Sequence, residues 1–167
     1  MARPYTFDRE AAVEAAMHVF WRDGYDLASL SDLQDAMGIQ RGSLYKAFGS
    51  KKKLFLKAFD LYVERFVDPG IELLSQSGRS GGDRIKRFFE MIPPNESRGC
   101  LLCNSAAGAA GTDDDVRRAV FAQLERLRRA FDAALTDENP DPTKRRLDAE
   151  RLAQRYIGTR VEARAAA

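Results

Sequence analysis

Three observations predict an all-α fold. Apolar residues recur at three- and four-residue spacing through most of the 167 residues. No stretch alternates apolar and polar residues as a half-buried strand does. Helix-start residues such as Ser29 and Ser50, and stops such as Gly24 and Gly38, punctuate the periodic segments.

In chain order, Val13, Met17 and Phe20 share one face of a first helix from about Asp8 to Arg22, which Gly24 ends. Ser29 with Asp32 has the form of a capping box and opens a short second helix, with Leu30, Leu33 and Met37 inward and Gly38 as its break. A third short helix runs from about Gln40 to Ala47 and buries Leu44 and Phe48. Ser50 is the N-cap of a long fourth helix with Phe55, Phe59, Tyr62 and Phe66 on one stripe, interrupted or kinked at Pro69-Gly70.

Beyond it, "SQSGRSGGD" (Ser75 to Asp83) reads as a flexible connector. "RIKRFFEMI" is a short amphipathic helix stopped by Pro93-Pro94, and "GCLLCNSAAGAAG" is a helix of small residues suited to close packing. From Asp113, the residues Val116, Val120, Leu124, Leu127, Phe131 and Leu135 line one face of a long helix whose acidic start, Asp113 to Asp115, suits its positive end. "TDENPDPTKR" reads as a polar loop, with a last helix from near Leu147.

The length fits one domain or a small domain joined to a larger one. Acids and bases nearly cancel, at a formal net charge of +2, so the local distribution of charge carries the information about partners. No apolar run approaches the roughly 18–20 residues that span a bilayer, so no membrane helix is expected. The start, "MARPYTFDRE", lacks the apolar core of a signal peptide. Cys100 and Cys103 make no disulfide scaffold, and a cytoplasmic protein is expected. A lone histidine, His18, and the absence of Gly-x-Ser-x-Gly or a phosphate loop argue against an enzyme and against a cofactor.

The stretch "MGIQRGSLYKAFGSKKKLF", Met37 to Phe55, contains no acid. Two short helices joined by a glycine turn, behind a longer supporting helix, describe a helix-turn-helix unit. Its second short helix presents Gln40, Arg41, Gly42 and Ser43 foremost, where Gln matches adenine, Arg matches guanine and Ser suits either. Tyr45 and Lys46 fall outward when Leu44 and Phe48 face inward. Lys51 to Lys53 begin the next helix, where ammonium and backbone N–H groups favour a phosphate. A plainer account stands beside this: lysines at a helix start are commonly solvated, and a tyrosine in a short helix is commonly half-buried packing. On that account the chain is a helical protein-interaction module with a basic face and no specific DNA site.

Residues Phe7 to Phe59 resemble the DNA-binding domain of the tetracycline-repressor (TetR) family. The matching features are Phe20-x-x-x-Gly24-Tyr25, the Ser29 cap, the Gly38-Ile39 turn, Gly42-Ser43-Leu44-Tyr45, and Phe48-x-x-Lys51. Gln40 departs from the small hydroxyl residue common there. The resemblance implies a three-helix DNA-binding domain over residues 1–50 and a helical ligand-binding and dimerisation domain over 51–167. It implies a repressor that binds a pseudo-palindromic double-stranded DNA operator as a homodimer and is released by an unidentified small-molecule effector or a redox signal. The DNA-contacting set is then Ser29, Gln40, Arg41, Gly42, Ser43, Tyr45, Lys46 and Lys51. The pocket set includes Phe59, Tyr62, Phe66, Phe89, Cys100, Cys103 and Leu124, positions that serve equally well as core. "RGCLLCNSAAGAA" is similar to a Gly-Cys-Leu-x-x-Asn segment of one branch, and Cys103 is additional to it. Members usually continue for about one more helix than "YIGTRVEARAAA", so the C-terminal helix of a four-helix dimer seam is expected to be missing.

Cys100 and Cys103, at i and i+3, share one side of a helix. They read as tightly packed small residues, as sensors of oxidants or electrophiles, or as metal ligands. The metal reading lacks nitrogen partners, because His18 belongs to the other half of the chain.

Overall fold

The computed structural model describes residues 7–93 and 97–166, and the described residues are helical with no strand. Helix α1 spans Arg9–Leu27 and is capped by Asp8, whose carboxylate accepts the Glu10 and Ala11 N–H groups. It runs past the expected end, but Gly24 (φ 80°) kinks it at the place where the sequence puts a stop. Helix α2, Leu30–Met37, starts from the expected capping box: Ser29 Oγ accepts the Asp32 N–H at 3.0 Å and the Asp32 carboxylate accepts the Ser29 N–H at 3.1 Å. Gly38 ends it in the left-handed region (φ 64°), which an L side chain rarely adopts. Helix α3 is Arg41–Phe48 and seats Leu44 and Phe48 in the core.

Helix α4, Lys51–Tyr62, is capped by Ser50. A wide π-helical turn, Val63–Val67, then leads directly into α5, Asp68–Ser75. Pro69 cannot donate to the carbonyl four residues back and its ring crowds that carbonyl. The wide turn absorbs this, so the chain continues as one spine from residue 51 to 75.

Helix α6, Gly81–Glu90, begins inside the expected connector because Ser80 caps it. Its start presses against the end of α8: a Cβ on Gly81 would lie 1.9 Å from the Ala134 carbonyl oxygen. Buried Arg84 binds the carbonyls of Gln76 and Ala134 at the same junction. Of the expected Pro93-Pro94 stop, Pro94 lies outside the described residues. Helix α7, Leu101–Ala107, is shorter than expected, giving way at Gly108 to a tight turn, Ala109–Gly111. Helix α8, Asp114–Ala134, is capped by Asp113 and buries Val116, Val120, Leu127 and Phe131.

Helix α9, Pro142–Ala165, starts well before Leu147, from an Asp141 cap with Pro142 in its first turn. Its first turns carry no apolar stripe, which is why periodicity misses them. Helices α1 and α3 pack on α4, α2 packs on α1, and the α4–α5 spine continues into the layer of α6, α8 and α9. Among the described residues no helix is long and apolar enough to cross a membrane.

Candidate DNA interface and sensing cavity

The face of α3 away from the core carries Gln40, Arg41, Gly42, Tyr45 and Lys46, all exposed. The Gln40 side chain makes no capping bond. The Arg41 guanidinium lies 5.7 Å from the centre of the Tyr45 ring, and Tyr45 is 39% exposed. A large ring kept on the surface beside a cation suits a groove ligand better than a core. Ser43 is half-buried, and Ser29 spends its hydroxyl proton on Asp32 at 2.6 Å within the capping box.

The three lysines go three ways. Lys51 Nζ sits 4.8 Å from the Tyr25 ring centre and 3.4 Å from the Asp26 carbonyl, and burial lowers its pKa. Lys52 reaches away from α3 to Asp115 at 2.7 Å and Asp113 at 3.3 Å, bridging the start of α4 to the start of α8. Lys53 stays exposed.

A cavity of about 180 Å³ lies beside the π-helical turn. Trp21, Tyr62, Phe66, Phe88, Tyr156 and Arg160 are among its walls. Trp21 meets Tyr62 edge-on at 4.9 Å and Phe66 at 5.0 Å, so α1 of the N-terminal half contributes directly to it. The Trp21 indole N–H donates to the Gly99 carbonyl at 3.3 Å, and Arg160 donates to the same carbonyl.

Behind the tyrosines lies Cys100, fully buried, its Sγ 3.4 Å from the Tyr156 hydroxyl. Burial opposes its ionisation, but hydrogen bonds from the Cys103 and Tyr156 side chains, from Tyr62 and from the Cys103 backbone outweigh burial and bring it to about 5. The hydrogen bond to Cys100, together with burial, pushes Cys103 up. The pair thus divides into a sulfur suited to thiolate and a donor that supports it.

Residues 12–58 match the family described as bacterial regulatory proteins, tetR family. The chain is 31% identical to the transcriptional repressor ComR of Escherichia coli over 68% of its own length and 57% of ComR, so it spans well under two thirds of that relative. It is 32% identical to the uncharacterized regulator YezE of Bacillus subtilis, over 78% of this chain and 70% of YezE. The chain belongs to the TetR family. A solved structure of the TetR-family regulator CifR, a cysteine mutant complexed with a 26-base-pair operator, is 30% identical and superposes with a TM-score of 0.85 over 99% of this chain and 91% of that one.

Within this TetR-family fold, Tyr62 and Phe66 of the expected pocket set do line the cavity. Phe59 is fully buried in the core, Phe89 and Leu124 are half-buried against it, and neither cysteine is part of the wall. Sequence reasoning missed Trp21 and Arg160. Trp21 follows Phe20 and falls off the periodic stripe, and Arg160 reads by default as a solvated charge on a polar helix.

Proposed function

We propose that this chain is a transcriptional repressor that reads a pseudo-palindromic operator as a homodimer and is released by a small-molecule or redox signal. Residues 1–50 form the DNA-binding unit and 51–167 the sensing and dimerisation unit. It acts by binding rather than by catalysis, in the cytoplasm. The observation that carries this is the exposed Arg41–Tyr45 pair, with Gln40 beside it, on a helix anchored by Leu44 and Phe48. The operator complex of CifR supports it by likeness.

A mobility-shift titration with the chain's own upstream DNA against scrambled DNA tests the reading; equal weak binding to both would favour the helical interaction module. Arg41→Ala is expected to cost about 1–3 kcal/mol at one base pair and relax specificity there. Lys51→Ala should weaken all sequences evenly and flatten the salt dependence. Lys52→Ala should leave the salt dependence nearly unchanged, because two carboxylates engage its ammonium.

The redox arm rests on Cys100. Its folded pKa is lowered from the free value, so the thiolate persists as pH falls and is lost only on passing through about 5. The ultraviolet thiolate absorbance that Cys100→Ser removes, which needs no reagent to reach the buried sulfur, should hold steady from pH 8 to 6 and fall toward pH 4. An absorbance already lost on going from pH 8 to 7 would show an ordinary thiol.

A further inference from the structure

We propose that the cavity beside Arg160 binds a small aromatic carboxylate, one ring bearing a carboxylate that the Arg160 guanidinium holds. The proposal deepens the effector-responsive reading above by naming the chemistry of the effector. Size comes first. A cavity of about 150 Å³ lined by apolar side chains accommodates benzene, so about 180 Å³ suits a single ring with a short substituent. The walls suit a ring: Trp21, Tyr62, Phe66 and Phe88 present both faces and edges, with Tyr62 and Phe66 centred 5.0 Å apart.

Charge then selects within the aromatics. Arg160 is 4% exposed, and among the described residues no carboxylate pairs with it. Arg65, also at this cavity, is matched by Glu14. A buried cation without a counter-charge is costly, and carbonyl dipoles offset that only in part. Arg160 donates to the carbonyls of Pro93 (3.4 Å) and Gly99, which take two of the five N–H groups a guanidinium offers. The remaining donors suffice for a two-point grip on a carboxylate. The charge is felt at the wall: burial pushes the Tyr62 hydroxyl up, and Arg160 acts against that rise. Among the described residues the hydrogen bonds of Arg160 go to the Pro93 and Gly99 carbonyls and none goes to the Cys100 sulfur.

The test is thermal denaturation of the full chain, without DNA, in sodium benzoate, in benzamide and in sodium acetate at equal ionic strength. Benzoate should raise the melting temperature in a saturable way, with an apparent affinity at least tenfold tighter than that of benzamide, its neutral isostere. Acetate should do little. Arg160→Met should reduce benzoate to the benzamide level; should that variant not fold, the benzoate–benzamide contrast on the unaltered chain decides alone. Equal shifts from benzoate and benzamide would make the cavity merely apolar and overturn the proposal. A shift from acetate equal to that from benzoate, or no shift from benzoate, would overturn it as well. Because DNA is absent from this measurement, failure here leaves operator binding standing, and failure of the mobility shift leaves benzoate binding standing.

Discussion

Phe20→Ala is expected to destabilise the protein by about 3–5 kcal/mol, the usual range for emptying a buried aromatic site. Phe20 is fully buried on α1, and its ring meets Phe55 of α4 edge-on at 5.1 Å and Tyr25 at 6.4 Å. Phe55 in turn stacks toward Phe59 at 5.9 Å, so the ring is the first link of an aromatic row that seats the helix-turn-helix on the spine. The neighbours are themselves large and pinned on other sides, so collapse into the cavity would be partial. A domain of this size commonly has only about 5–15 kcal/mol in hand. Urea denaturation should therefore show a much lower midpoint with an unchanged slope. Phe121→Ala is the control: that ring is 58% exposed and its loss should stay within about 0.5 kcal/mol. A Phe20→Ala midpoint matching that of the control would show that α1 and α4 are held by something other than this row.

The N-terminal half is legible in the sequence because its signals are local. The Ser29–Asp32 box, the Gly38 turn and the Ser50 cap each need only neighbours in the chain to act, and each is found where expected. The half from residue 51 onward depends on packing, and its details do not follow from periodicity. The stripe of Phe55, Phe59, Tyr62 and Phe66 assumes a regular helix. The π-helical turn at Val63–Val67 adds about one residue to a turn, which rotates the later residues by roughly 100° relative to a continued α-helix. Phe59, before the turn, sits in the core, while Phe66, within it, is 45% exposed at the cavity. Buried Arg84 and Arg160 escape sequence reasoning for a related reason. Their partners are carbonyls of distant segments, which only the fold brings near. Pro142 after Asp141 is a readable start for α9, but a polar first turn hides it from a search for apolar repeats.

Gly70→Ala is expected to act as a built-in effector, weakening operator binding with no ligand present. Gly70 is buried on α5 and shares the cavity wall with Phe88. A Cβ there would lie 2.7 Å from the edge of the Phe88 ring, so the ring must move. On its other sides it meets Phe131 at 5.0 Å, Phe89 at 5.4 Å and Tyr156 at 5.5 Å, so the cavity is the open direction. Helix propensity favours alanine over glycine by about 1 kcal/mol, against an overpacking cost of about 1–3 kcal/mol. The net loss is then at most about 2 kcal/mol, and the chain should stay folded. The displaced ring would fill the space assigned to the proposed effector and bear on Tyr62 and Phe66, which flank or form the wide turn of the spine. The same spine begins at Lys51, next to the recognition helix. A change that favours the non-binding arrangement lowers operator affinity by as much as it favours that arrangement. Couplings of this kind are commonly about 5- to 150-fold. Operator titrations of Gly70→Ala and the unaltered chain, with circular dichroism to establish that both are folded, measure it directly. Equal operator affinities in two folded proteins would show that the cavity and the DNA face do not communicate through this helix.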